Sequence, residues 1–184
     1  MSANPTSANL VPDEVLDKIP LLAGMTERER KQLAGIGSLM EFKPGEVVVR
    51  QGKTSQNLLV LLEGQCQVVK EVDGEPPHEV VLAELKAYDH FGDMSFFSAA
   101  PHSASVRAVT PVNLLRIQRR DYDKLIGSDA LAAYKVAYNM VDVLAHRLRR
   151  MDEWVSELVK QNSPDQRVSE WNKFRDKLFT GWNL

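Results

Sequence analysis

Residues 91–108 read FGDMSFFSAAPHSASVRA, the most informative stretch of this chain. Gly92 lets the backbone pass close to a ligand, and the amides that open a short helix after it favour an anion. From His102 onward the pattern is that of a strand. His102, Ala104, Val106 and Ala108 fall on one face, and Ser103, Ser105, Arg107 and Val109 on the other. Arg107 therefore faces away from His102 and reads as a solvated strand residue unless a bulge turns it.

Working outward, turn signals recur at the spacing of a small barrel or sandwich: Lys43-Pro44-Gly45-Glu46, Gln51-Gly52-Lys53 and Glu63-Gly64. Aliphatic and β-branched runs lie between them and predict strands over Val47–Arg50, Leu58–Leu62, Cys66–Val72, Val80–Leu85 and, after residue 108, Asn113–Gln118. The loop 73–77 belongs on the surface. Upstream, residues 1–11 are small, polar and aperiodic, so no fixed structure is expected there. A short helix covers Asp13–Lys18. Thr26 and Glu29 have the spacing of a capping box, which predicts a helix from Glu27 to Ile36 with Leu33 and Ile36 facing inward. The fold class expected is α+β, mainly β: a jelly-roll-like β-roll flanked by N-terminal helices and a long C-terminal helix.

That long helix is read as starting near Ser128, taken as its N-cap. Ala130, Tyr134, Ala137, Val141, Leu144, Leu148, Met151, Val155 and Leu158 recur with alternating spacings of four and three, a heptad stripe. A helix of about 30 residues spans about 45 Å, too long for its own small domain to cover. A second copy of the chain is the natural cover, which makes a homodimer the expected state and Tyr134, Ala137, Val141, Leu144, Leu148, Met151, Val155 and Leu158 its interface. The basic run His146-Arg147-Leu148-Arg149-Arg150 is followed at once by acids and reads as a solvated face. Asn162-Ser163-Pro164-Asp165 ends the helix. Beyond it Trp171, Phe174, Leu178 and Trp182 share a stripe beside Phe179 and require a surface on self or on a partner.

Length, charge and cysteine content narrow the function classes. The chain of 184 residues suits one domain plus a helical extension. A net charge of −2 gives no basic footprint for nucleic acid, so direct DNA binding is not expected. The single cysteine, Cys66, lies in a predicted strand as a small buried hydrophobe, and with no apolar run of about 20 residues and no signal-like N-terminus the expected setting is the cytoplasm, away from membranes. The histidines His78, His90, His102 and His146 are scattered, and there is no P-loop, H-E-x-x-H or G-x-S-x-G. No catalytic residue, metal site or cofactor is assigned, and an enzyme is not expected. Asp89, His90 and Asp93 lie close in sequence, yet turn chemistry and the 91–108 stretch account for them without a metal.

The 91–108 stretch resembles the phosphate-binding cassette of the cyclic nucleotide-binding domain family, whose pattern is close to F-G-E-[LI]-A-[LI]-x-x-x-x-P-R-[STA]-A-[ST]-V-x-A. Phe91, Gly92, Pro101, Ser103, Ala104, Ser105, Val106 and Ala108 match without a gap. The glycines at 45, 52, 64 and 92 also have the family's spacing, so the resemblance runs over roughly residues 20–126. It implies a nucleotide-binding-like roll over 12–127, a dimerisation helix over 128–161 and a linker with a short aromatic tail over 162–184. The implied ligand-binding residues are Phe91, Gly92, Asp93, Met94, Ser95, His102, Ser103 and Ala104. Two departures from the pattern bear on the ligand chemistry. Asp93 stands for the family's glutamate, one methylene short of a ribose hydroxyl. His102 stands for the arginine that forks onto the phosphate, and a neutral imidazole offers one donor and no charge.

Three readings stay open at this point. One is a regulatory sensor that takes a cyclic nucleotide or another compact anion weakly and signals through the long helix to a separate effector protein. The second is a dimeric interaction scaffold that has lost the ligand. The third, an enzyme of unrecognised type, has no residue in its favour. The short C-terminal remainder disfavours a winged helix-turn-helix of its own.

Overall fold

The computed structural model describes residues 6–7, 11–72, 78–128 and 130–161. The expectations for the loop 73–77 and for the stripe of Trp171, Phe174, Leu178 and Trp182 lie outside the described residues. Two compact units divide the chain, Met1–Asn139 and Met140–Leu184. The first contains the roll, the N-terminal helices and the opening turns of a long helix. The described part of the second continues that helix.

The first unit opens with a short strand, β1 (Thr6–Ser7), then α1 (Asp13–Leu16), a 3-10 turn at Pro20–Leu22 and α2 (Glu27–Gly35). The expectation that residues 1–11 lack fixed structure needs one correction: Thr6 and Ser7 pair antiparallel with Leu39 and Ser38 of β2 (Gly37–Phe42), an edge whose backbone groups would otherwise lack partners. The capping box forms as its spacing predicts. Thr26 N–H donates to Glu29 Oε2 at 2.7 Å and Glu29 N–H to Thr26 Oγ1 at 3.3 Å. Leu33 is buried; Ile36, already the C-cap, is half-buried, and Ala34 takes the inward place beside Leu33. Arg30 ties α2 to α1, its guanidinium forked onto Asp13 at 2.5 and 2.8 Å while Nη1 donates to the Met25 carbonyl at 2.7 Å.

The roll is two antiparallel sheets. β3 (Val47–Val49), β4 (Asn57–Glu63), β5 (Gln65–Val72), β6 (His78–Lys86) and β7 (His90–Phe91) precede α3 (Asp93–Ser98), and β8 (Ser105–Ala108) and β9 (Val112–Gln118) come after it. Their orders are β1-β2-β9-β4-β7 and β3-β8-β5-β6. Alternating residues of both sheets meet in one apolar cluster: Val49, Leu59, Leu61, Cys66, Phe91, Val106, Ala108, Val112 and Leu114. Leu58 and Val60, on the opposite face of β4, are equally buried, so β4 is central in both senses. Burial pushes the Cys66 thiol up to about 11, which leaves it an inert core group. At Gly64 (φ +89°) a Cβ would run into the Pro111 carbonyl, so the β4–β5 turn needs glycine on both counts.

After β9 come α4 (Arg119–Gly127) and α5 (Leu131–Gln161). Ser128 is not the N-cap of the long helix. It closes α4 instead, with its N–H on the Lys124 and Leu125 carbonyls and its hydroxyl donating to Leu125 O at 2.7 Å. The first turns of α5 are anchored to the N-terminal helices. Lys135 Nζ reaches Glu29 Oε2 at 2.8 Å and the Gly24 carbonyl at 3.0 Å, and Asn139 Nδ2 donates to the Leu21 and Ala23 carbonyls at 2.8 and 3.0 Å. These carbonyls sit at and just past the 3-10 turn, where no helical donor remains for them. The Lys135 ammonium and the Thr26 amide hold the Glu29 carboxyl down to about 2.

The helix has a second apolar face that the heptad reading did not separate. Ala132, Ala133 and Val136 are buried, and so is Ala130, which the stripe had included. Of the expected interface, Tyr134, Val141, Leu144, Leu148 and Met151 are exposed, Ala137 and Val155 are half-buried, and the Leu158 side chain lies outside the described residues. Tyr138, which the stripe skipped, is 78 % exposed beside them.

Candidate ligand site

Gly92 sets the geometry of the β7–α3 turn. Its φ is +82°, and a Cβ there would stand 2.5 Å from the Asn57 carbonyl oxygen, so glycine alone lets this turn pass so close to β4. α3 then buries Asp93, Ser95 and Phe96 and turns Met94 out to 61 % exposure. Phe91 is in the core. On the far side of the helix Ala104 is buried and Ser103 exposed, while Ser105, one residue further, is buried and accepts from the Gln51 N–H at 2.9 Å.

His102 is the centre of the arrangement. It is 7 % exposed, with Nε2 2.7 Å from Ser55 Oγ and Nδ1 2.9 Å from Ser95 Oγ. A neutral imidazole has one donor and one acceptor, so one serine gives a proton to the ring and the other takes one from it. Burial holds the ring below the ordinary histidine value of 6.5, which keeps it neutral at physiological pH. Its backbone is equally engaged. His102 N–H donates to Lys53 O and Gly52 N–H to His102 O, each at 2.9 Å. The second half of the cassette is thus laced to residues 51–55.

Arg107 is elsewhere. Its guanidinium forks onto Glu79 of β6 at 2.7 and 2.9 Å, away from His102 as the alternation predicts, and holds that carboxyl below its usual range. Asp89 does the turn chemistry expected of it, accepting from the Lys86 N–H at 2.8 Å.

The cassette helix also packs on α4. Phe96, Phe97 and Tyr122 meet edge to face with centroids 5.0 to 6.3 Å apart, and Arg119 lies 5.7 and 5.8 Å from the two phenylalanine rings while donating to Phe96 O at 3.1 Å. Tyr122 in turn donates to the Ala133 carbonyl of α5 at 2.7 Å. An unbroken set of contacts therefore runs from α3 through α4 to the first turn of α5. Sequence reading missed Ser55, Asn57, Arg119 and Tyr122. Nothing local marks them, since each acquires its role from a residue distant in the chain.

Two antiparallel sheets closed into a roll, with a glycine-opened helical turn between β7 and β8, define the fold class of this domain. Residues 39–129 match the family model of the cyclic nucleotide-binding domain, and this part of the chain is a domain of that family. A cAMP-dependent protein kinase regulatory subunit of Dictyostelium discoideum is 29% identical over 116 residues, 62% of this chain and 36% of that protein. The catabolite activator protein of Thermus thermophilus superposes with a TM-score of 0.69 at 29% identity, covering 76% of this chain and 62% of that one. The regulatory subunit of a cAMP-independent protein kinase A from Trypanosoma cruzi, bound to guanosine, superposes with a TM-score of 0.59 at 26% identity, covering 73% and 46%. The matched part of the chain spans between about a quarter and a third of the length of the curated relatives it matches. Among the described residues no helix is long and apolar enough to cross a membrane.

Proposed function

We propose that the protein is a non-enzymatic regulatory sensor whose roll takes a small ligand beside α3 and passes the occupancy through α4 to α5. Cyclic nucleotides bind it weakly. The observation that carries this reading is His102. The backbone of the family's cassette is in place around Gly92, but the residue at its clamp position has both ring nitrogens bonded to serines and no charge to offer. A missing bidentate charged contact costs roughly 2 to 5 kcal/mol, a few decades of affinity. The ligand-facing set is Phe91, Gly92, Asp93, Met94, Ser95, His102, Ser103 and Ala104. Output runs from Phe96 and Phe97 to Tyr122 and Ala133, and then along a dimer formed by the outer face of α5 to a separate effector protein. Covering such a face contributes on the order of 1.5 kcal/mol per large side chain.

The same closed bonding of His102 favours a second reading, a dimeric scaffold that holds no ligand. Isothermal calorimetry of the full chain with cyclic AMP, cyclic GMP and cyclic dinucleotides tests the sensor. Dissociation constants in the micromolar range or weaker are expected for cyclic AMP. Nanomolar binding in neutral buffer would overturn the weakness assigned to His102, and a complete absence of ligand response, nucleosides included, would leave the scaffold.

A further inference from the structure

α3 is only six residues long and lies between two left-handed residues, Gly92 at φ +82° and Ala99 at φ +56°, with no side-chain cap on its first turn. So short a helix does not hold its place by itself. Residues 51–57, between β3 and β4, hold it instead. Gln56 Nε2 donates to the Phe96 carbonyl at 3.4 Å, alongside the Arg119 guanidinium at 3.1 Å. Nearer the start of the helix the link runs through the His102 ring, which bridges Ser55 Oγ at 2.7 Å and Ser95 Oγ at 2.9 Å. The segment is itself tied down at both ends. The Gln51 side chain makes two hydrogen bonds with the Glu71 backbone of β5, at 2.9 and 3.2 Å, and Arg119 N–H donates to the Gln56 carbonyl at 2.9 Å.

Two departures from the family pattern meet in this bridge. His102 stands for an arginine and Ser95 for an alanine. Once residue 102 is a buried imidazole, each ring nitrogen needs a partner, and the hydroxyl at position 95 supplies one where the pattern's alanine has none. We infer that the Ser55–His102–Ser95 bridge is a built-in staple that fixes α3 against residues 51–57 with no ligand bound, so that the cassette helix stays seated on α4 in the empty protein. This goes beyond the sensor reading and holds whether or not a ligand binds. Contact of Phe96 and Phe97 with Tyr122 is then the resting state of the domain, and whatever shifts residues 51–57 shifts that contact.

Hydrogen exchange of the full, ligand-free chain, read amide by amide by NMR, tests the staple. The reporters are Phe96 N–H, bonded to Gly92 O at 2.9 Å, and Ala99 N–H, bonded to Ser95 O at 3.1 Å, with the amides of β9 reporting the core. In wild type both reporters should exchange about a hundredfold or more slower than an unprotected amide. Ser55→Ala and Ser95→Ala, each first checked for a native circular dichroism spectrum, should speed both reporters by about tenfold or more beyond any change in β9. Should a serine variant not fold, Gln51→Ala carries the test. It removes only the two bonds to Glu71, yet it should speed the reporters several-fold through residues 51–57. Reporters that exchange freely in wild type overturn the staple, and so do rates that stay unchanged in the folded variants or rise no more than those of β9. The calorimetry of the sensor reading is a separate measurement: an α3 that opens freely leaves a ligand to seat it, whereas a stapled α3 with no heat from any nucleotide keeps the staple and removes the sensor.

Discussion

Between residues 102 and 107, three polar side chains are satisfied from within: His102 by Ser55 and Ser95, Ser105 by the Gln51 amide, Arg107 by Glu79. Along the outer face of α5, Tyr134, Tyr138, Val141, Leu144, Leu148 and Met151 stand in solvent. The first region has polar groups that need nothing further, and the second has apolar surface that burial would stabilise. The contrast separates two questions that a shared family name runs together. What the roll recognises is a matter of local hydrogen-bond supply, whereas what the chain assembles with is a matter of uncovered apolar area.

The largest effect is expected at the ring cluster joining α3 to α4. Phe96→Ala should lose about 3 to 5 kcal/mol in urea denaturation, as for a fully buried aromatic whose space cannot collapse. A loss below about 1 kcal/mol would mean that Phe97, Tyr122 and Arg119 hold the cassette helix without it. On the α5 side, Leu148→Glu combined with Met151→Glu should weaken self-association a hundredfold or more, about 2.7 kcal/mol, and give a monomer in sedimentation velocity. A dimer that survives both glutamates removes the outer face as its seam. Gly92→Ala should be milder, about 1 to 3 kcal/mol, because it forces a side chain into positive φ against the Asn57 carbonyl; a neutral result in the same denaturation assay would show that the β7–α3 turn can shift.

The smallest effect expected is on pH. The folded His102 ring has a lowered pKa through burial, so the unfolded chain binds the proton more readily and acid favours unfolding. The stabilisation is present in full above the ordinary value of 6.5 and is lost as pH falls through the lower folded value. Urea midpoints measured across this window should fall in wild type and stay flatter in His102→Gln. Glu29 adds a further acid-sensitive contribution, lost as pH falls below its ordinary 4.5 toward about 2, and it is common to wild type and His102→Gln.

Much of the fold was legible because its causes are local. The capping box of Thr26 and Glu29 needs only its own three-residue spacing, and the turns at Gly45, Gly52 and Gly64 declare a positive φ that other residues avoid. Ser128 misled for a related reason: a serine between two helices can close the first or open the second, and local sequence does not choose. The inner face of α5 was hidden because Ala132 and Ala133 give a weak apolar signal beside the large residues of the outer stripe. In the site, the substitution of His102 was visible at once, but its consequence was not.

Sequence alone marked the resemblance to the family, the capped helix after Thr26, most of the strands between Val47 and Gln118 and the histidine at residue 102, since each is set by residue type and spacing along the chain. Tertiary structure alone decided that His102 is locked to Ser55, 47 positions away, that Arg107 is committed to Glu79, and that Arg119 and Tyr122 join the cassette helix to α5. Hydrogen bonds across such separations depend on how two sheets and a helix come together in space, and no short window of sequence contains that information.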